Sequence, residues 1–302
     1  MRDIFVQTLL EEAKRDSSVM LVTGDLGFGV LENFERELPS QFLNAGVAEQ
    51  SMVGLAAGIA STGKRVFVYS IGNFPTFRAL EQIRNDVCYM NNPVVIVSVG
   101  SGYSYGSQGY THHAIEDIAV MRALPNMNVI SPADPIETEI LTKFLVGDRR
   151  PSYFRLGRSG EKNLNLITPL LKDGRFSKIR SGRDGSIIFS GSIGDIVLDA
   201  CQYLDSRGIN ISVYSVPFLS QISRNDLEAL DGTKPIVVVE EHSLRGGLSS
   251  AILESIAINQ IDLKIVPVYS QNENLTLIGS QRFLREQNGL GIEKILCHFI
   301  PR

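Results

Sequence analysis

Two short stretches hold the residues best suited to acid–base or hydrogen-bonding chemistry. The first is Asn44-Ala45-Gly46-Val47-Ala48-Glu49-Gln50, which runs into Ser51-Met52-Val53-Gly54-Leu55-Ala56-Ala57-Gly58. A carboxylate there opens a helix rich in glycine and alanine. Such small residues let another element pack closely, although each glycine weakens a helix by up to about 1 kcal/mol relative to alanine. Glu49 could equally do no more than favour the positive end of the helix dipole, so this stretch gains meaning only from its company. The second stretch, Gly106-Ser107-Gln108-Gly109-Tyr110-Thr111-His112-His113-Ala114-Ile115-Glu116-Asp117, holds two of the chain's four histidines. It follows a strand and a glycine-rich loop and is expected to begin a helix, where α/β folds place ligand sites. An imidazole there can move protons near neutral pH, or simply cap the helix or satisfy a buried acceptor. Adjacent residues do not share one helical face, so at most one of the pair faces a ligand.

Other chemistries lack their residues. The two histidines have no companion ligands at zinc-like spacing. No phosphate-binding P-loop or His-Glu-x-x-His helix occurs, and Gly191-Ser192-Ile193-Gly194 is too incomplete for a dinucleotide fingerprint. A net charge of −4 without a dense Lys/Arg run argues against nucleic acid and anionic membrane as partners. The longest apolar runs fall far below the roughly 20 residues a bilayer requires. Cys88, Cys201 and Cys297 are odd in number and widely spaced, as expected of reduced thiols. The start contains no apolar signal core, and a cytoplasmic location is the expectation.

The elements that must position these groups alternate along the chain. Helix Asp3–Arg15, strand Val19–Thr23, helix Glu49–Ser61 and strand Arg65–Tyr69 lead to helix Phe77–Met90, strand Val94–Val99 and a helix-strand pair over 115–130. The order predicts an α/β fold: a doubly wound, mostly parallel sheet, its apolar strands buried on both faces. With 302 residues, 43% of them hydrophobic, and a mean hydropathy of +0.05, two soluble domains are the natural reading. The first spans 1–160. Weaker periodicity among Gly, Ser, Asn, Lys162, Lys172 and Arg180 marks a linker over 161–185. A second, smaller α/β domain over 186–302 follows, with strands Ser186–Ser190, Ile211–Val216 and Ile236–Glu240 around helices Asp195–Ser206 and Asn225–Leu230.

The ordered motifs resemble the transketolase family. They are Thr23-Gly24-Asp25, Gly46 to Gln50, Arg78-Ala79-Leu80-Glu81-Gln82-Ile83-Arg84, Gly109 to Asp117, Leu124-Pro125-Asn126-Met127, Ser131-Pro132-Ala133-Asp134, Glu240-Glu241-His242-Ser243 and Gly246-Gly247-Leu248. The similarity is to the C-terminal section of transketolase and of 1-deoxyxylulose-5-phosphate synthase, encoded as a separate chain. It implies a thiamine-diphosphate enzyme that transfers a two-carbon ketol unit from a ketose to an aldehyde. Glu49 matches the glutamate that hydrogen-bonds the cofactor's aminopyrimidine. A carboxyl in an apolar pocket suits that proton-sharing role. Phe74, with Phe77 or Tyr69 as alternatives, matches the aromatic that stacks on the pyrimidine, and Asp25 joins the cofactor-binding set. His112 matches the histidine that faces the substrate, and Arg158 the arginine that binds its distal phosphate.

The family's diphosphate- and Mg2+-binding segment is missing from the sequence. The resemblance therefore implies a separate N-terminal-section subunit, an α2β2 complex and a cofactor shared across the interface. The second domain is expected to serve oligomerisation, with His242 structural. Transketolase has a phosphate-binding histidine where Gly100 stands and a hydroxyl-recognising aspartate where Gln108 stands. These departures point to a modified, for example nucleotide-linked, sugar or other carbonyl substrate. The alternatives are the β subunit of a 2-oxo-acid dehydrogenase E1 or acetoin-cleaving complex, and a non-catalytic assembly subunit.

Overall fold

Continuous aliphatic runs become parallel strands covered on both sides. The computed structural model describes residues 1–165 and 168–300. Residues 166–167, within the stretch read as a linker, and 301–302, at the end of the second domain, lie outside the described residues. In the first half, β1 (Val19–Thr23), β2 (Phe42–Asn44), β3 (Arg65–Ile71), β4 (Val94–Val99), β5 (Asn128–Ile130) and β6 (Ser152–Leu156) make a parallel sheet in the order β2-β1-β3-β4-β6-β5. Side chains along β3 alternate between two cores rather than between core and water. Val66 and Val68 join Met52, Ala56 and Ile83 on one face. Phe67 and Tyr69 join Phe5, Leu9 and Phe154 on the other.

The helices of this half are α1 (Arg2–Arg15), α2 (Glu32–Glu37), α3 (Glu49–Ser61), α4 (Asn73–Phe77), α5 (Leu80–Gln82), α6 (Asp117–Arg122) and α7 (Pro135–Gly147). Helices α1 and α7 cover the Phe67 face, while α3 lays Met52, Val53, Ala56, Ala57 and Ala60 on the Val66 face. Met52 alone, fully buried, contributes about 1.5–3 kcal/mol of apolar burial. The continuous helix expected over Phe77–Met90 is instead α4, α5 and a wide π-helical turn over Ile83–Tyr89. Ala79 leaves the helical region (φ −114°, ψ 21°) and separates α4 from α5. The carbonyls of Asp86 and Cys88 accept from the Asn92 and Asn126 side-chain amides, which stop the turn from continuing.

The second sheet comprises β7 (Ser177–Arg180), β8 (Ser186–Ser190), β9 (Ser212–Ser215), β10 (Ile236–Glu240) and β11 (Val266–Tyr269), ordered β11-β10-β8-β9-β7, with only β7 antiparallel. Its edge strand β7 thus lies inside the 161–185 segment. Around it stand α8 (Gly194–Asp205), α9 (Arg224–Glu228), α10 (Leu248–Asn259), α11 (Gln281–Gln287) and α12 (Ile292–Leu296). The halves join at β5: Ser131 N donates to Pro217 O and Leu219 N to Val129 O, both at 2.8 Å. Asp134 reinforces the joint. It caps α7 through Glu137 N at 2.7 Å and accepts from Leu164 N and Asn165 N at 2.9 Å. Among the described residues no helix is long and apolar enough to cross a membrane.

Candidate active site

Gly46, at φ +71°, turns the chain after β2 so that Glu49 becomes the first residue of α3. Glu49 is 8% exposed, and its side chain borders an open cleft of about 370 Å³ lined by Ala48, Glu49, Gln50, Ser51 and Arg78. Across the turn Asp25, exposed and in the left-handed region (φ +58°), exchanges hydrogen bonds with Asn44. Asn44 Oδ1 accepts from Asp25 N at 2.9 Å, and Asn44 Nδ2 donates to Asp25 Oδ1 at 3.2 Å.

The second wall of the cleft is α4, held at the carboxyl ends of β3 and β4. Gly72 N donates to Val99 O, while Gly72 O accepts from Thr76 Oγ1 and Ser98 Oγ at 2.9 and 3.1 Å. Asn73 Nδ2 donates to His113 O, tying α4 to the histidine loop. Phe74 then stands edge-on to His112, with centroids 5.1 Å apart, and the Arg78 guanidinium carbon lies 4.1 Å from the Phe74 centroid. Arg78 Nη1 donates to Glu49 Oε1 at 2.7 Å. Glu49, Arg78, Phe74 and His112 therefore form one unbroken line of contacts.

The two histidines part company. His112 closes a short turn over Tyr110–His112, half-exposed, and helix α6 begins only at Asp117. Burial, then the positive Arg78, holds the His112 imidazole below its usual range. His113 is 1% exposed and edge-on to Tyr103 at 5.0 Å, and burial lowers its pKa too. Only His112 can meet a ligand.

Three expected site residues lie elsewhere in this geometry or lack a contact within it. Tyr69 points to the sheet face opposite α3 and stacks on Phe5 at 6.4 Å, because strand alternation sends it away from its neighbours Val66 and Val68. It does not form an aromatic wall for the cleft. Phe77 ends α4 with 40% of its surface exposed. Arg158 packs over the Tyr105 ring at 5.2 Å and lines a separate cavity of about 620 Å³ at the seam between the halves, with Ser107 and Ser192. Gln108, exposed in the turn Gly106–Gln108, sits on the loop between His112 and that cavity. The pocket around Glu49 is also more polar than expected, since Arg78 rather than an apolar side chain meets the carboxylate. Arg78 itself was legible as a candidate: it stands four residues after Phe74, the spacing that stacks a guanidinium on a ring one helical turn away.

Comparison with known proteins decides the family. Residues 1–161 match the family model described as transketolase, pyrimidine binding domain, and residues 174–294 match the transketolase C-terminal domain. The chain belongs to the transketolase family. It is 36% identical over 277 residues to one of the subunits of the apulose-4-phosphate transketolase of Phocaeicola vulgatus, covering 90% of this chain and 88% of that one. A protein of Methanocaldococcus jannaschii named as a putative transketolase C-terminal section is 36% identical over 272 residues, covering 89% and 85%. Among solved structures, a split-gene transketolase in the form of an inactive β4 tetramer superposes with a TM-score of 0.88 at 31% identity, covering 99% of this chain and 96% of that one. This transketolase chain thus carries the C-terminal section of the family's enzymes, and the family implies dependence on thiamine diphosphate.

The residues present suit one half of that cofactor. A buried carboxylate at a helix start, an aromatic ring beside it and an opening to the surface are what an aminopyrimidine requires: an acceptor for a ring-nitrogen proton and a face for stacking. Among the described residues no group of three His, Cys, Asp or Glu could hold a metal ion.

Proposed function

We propose that this chain is one subunit of a two-chain transketolase, supplying the aminopyrimidine side of a thiamine-diphosphate site that moves a two-carbon ketol unit from a ketose to an aldehyde. The line Glu49–Arg78–Phe74–His112 carries the reading, because it joins a buried proton acceptor, a stacking surface and a titratable group that faces outward. Thiamine diphosphate, when bound, supplies the electron sink that lets a ketose carbon–carbon bond break. Glu49 holds a proton at the pyrimidine nitrogen, and Arg78 fixes the carboxylate's orientation. Phe74 stacks on the ring, Phe77 flanks it from the exposed end of α4, and Asp25 closes the mouth.

His112, kept neutral by its surroundings, holds or moves the proton of a substrate hydroxyl, with Gln108 beside it on the same loop. Arg158 takes a distal phosphate at the seam. The diphosphate and Mg2+ belong to a separate N-terminal-section subunit in an α2β2 complex. Val47, 72% exposed beside the cleft, and the exposed Leu55 on α3 support a protein covering this opening. The β4 relative is described as inactive, which supports the same requirement for a partner. The apulose-4-phosphate relative and the Gln108 departure favour a modified sugar as substrate. The three free cysteines suit a cytoplasmic setting.

The test is co-purification with the candidate N-terminal subunit, followed by a ketose panel with thiamine diphosphate and Mg2+. Aldehyde release from a modified ketose is expected. Full rates with xylulose 5-phosphate and ribose 5-phosphate would reject the substrate reading, and decarboxylation of a 2-oxo acid would favour an E1-type complex. Glu49→Gln should lower turnover by about 10²–10⁴-fold. Intact turnover in that variant would support a non-catalytic subunit instead.

A further inference from the structure

The loop that carries Gln108 and His112 belongs to the first domain, yet its firmest polar anchor comes from the second. Glu241, at the end of β10, is 2% exposed. Its Oε1 accepts from the backbone N of Tyr103 at 2.9 Å and from Gln281 Nε2 at 3.1 Å. Its Oε2 accepts from Arg285 Nη2 at 2.8 Å and again from Gln281 at 3.1 Å. Gln281 also donates to Ser104 Oγ at 3.2 Å, and the Tyr103 hydroxyl bonds Ser270 Oγ.

These contacts converge on the neck of the loop. Gly102 and Ala114 pair there as an antiparallel bridge, each N donating to the other's O at 2.9 Å. Arg155 Nη2 donates to both Ala114 O and Glu241 O, at 2.7 and 3.1 Å. The backbone is shaped to admit the carboxylate. A Cβ on Gly102, at φ +60°, would stand 2.3 Å from Glu241 Cδ. One on Gly106 would stand 2.5 Å from Leu284 Cδ1 and 2.7 Å from Gly279 O. Both glycines are thus required by close approach of the second domain. A carboxylate withdrawn from water is costly unless fully paired; Glu241 is paired to the loop through Tyr103 N and through Gln281, which also bonds Ser104, and is held on its own domain by Arg285, which bonds Asp195 and Ser192 O. Oligomerisation, the role expected of the second domain from sequence, calls for none of this.

We infer that Glu241 is a positioning residue for the transferase reaction: by fixing Tyr103 and the 102–114 neck, it sets where His112 and Gln108 stand. Glu241 touches neither substrate nor cofactor. The inference rests on the reading of His112 as substrate-facing.

Two measurements separate the inference from its foundation. Hydrogen exchange on the isolated chain reads the loop without any activity. Glu241→Ala should speed exchange over residues 103–113 by about 10-fold or more while β3 and β4 keep their protection. In the assembled enzyme the same variant should lower kcat/KM by about 10–100-fold with the half-saturating thiamine diphosphate concentration unchanged. Glu241→Gln keeps an acceptor oxygen for Tyr103 N and should recover most of both losses. Unchanged loop exchange in Glu241→Ala overturns the inference. So does faster exchange spread evenly through both domains, unaltered kinetics, or a glutamine variant no better than the alanine one. His112→Ala tests the foundation separately: intact turnover in that variant removes the substrate-facing role, whatever the exchange data say of the clamp.

Discussion

Arg78 donates to Glu49 at 2.7 Å while its guanidinium carbon rests 4.1 Å from the centroid of the Phe74 ring. One side chain therefore fixes the acid and the aromatic wall relative to each other. Replacing it by alanine should lower turnover of the assembled enzyme by about 10-fold or more, and Arg78→Lys should recover little, since an ammonium cannot stack as a plane. Stability should hardly change, because a half-exposed ion pair is worth only ~0–1 kcal/mol. Steady-state kinetics beside a thermal melt checks this. A large loss of melting temperature with normal turnover would refute it.

Arg158 stands over Tyr105 at the edge of the seam cavity, away from the Glu49 cleft. Arg158→Ala should therefore raise KM for a phosphorylated ketose by about 10-fold and leave kcat within a factor of two, the pattern of lost uniform binding. A matched unphosphorylated sugar should show no change. An equal rise in both KM values would remove the phosphate-binding role.

His242 gives a pH signature. Fully buried, its imidazole is pushed down to about 4 by desolvation, only partly offset by Asp117. Between pH 6.5 and about 4 the unfolded chain binds a proton there that the folded chain does not, so this contribution to stability is complete above 6.5 and lost as pH falls. Relative to His242→Gln, the native chain should lose about 1.4 kcal/mol per pH unit in that window. Glu137 and Glu240, pushed up to about 7 by burial, act with the opposite sign: their contributions are lost as pH rises through 7. They are common to both proteins and cancel in the difference. Urea denaturation at several pH values measures it, and parallel stability curves would contradict the prediction.

Asp134 is completely buried and accepts from Glu137 N, Leu164 N, Asn165 N and Asn165 Nδ2. Asp134→Ala strands these donors and removes the α7 cap, a loss of about 2–4 kcal/mol. Denaturant midpoints report it directly. Asp134→Asn should retain part of the stability, because one acceptor oxygen remains.

Strands such as Val94–Val99 and Ile236–Glu240 were legible in the sequence because an uninterrupted aliphatic run buried on both faces has few other destinations. Helix Glu49–Ser61 was legible for a related reason, a glutamate followed by small residues with one apolar stripe. Strand β6 was not, since Arg155 interrupts its run and is tolerated through Asp117 at 2.8 Å, 38 residues earlier, and through the carbonyls of Ala114 and Glu241. The end of the Ile83–Tyr89 turn was hidden too, its last carbonyls being held by Asn92 and Asn126 from outside the helix. At the site, Glu49, Phe74 and His112 could be singled out by type and company. The burial of Tyr69 on the opposite face of the sheet could not, because which of a strand's two faces a residue takes depends on neighbours the run itself does not name. Glu241 was quoted as part of a motif but its bond to Tyr103 spans 138 positions, a separation no local pattern encodes.

The junction at β5 has a practical corollary. The outer margin of the first sheet, where Val129 and Ser131 would otherwise leave main-chain groups ready to recruit a stray strand, is stitched shut by Pro217–Leu219 from the other half. A fragment truncated at the 161–185 segment would bare that seam. The pyrimidine-binding half on its own is accordingly a poor candidate for expression as a soluble piece, and the two halves are best handled as one folding unit.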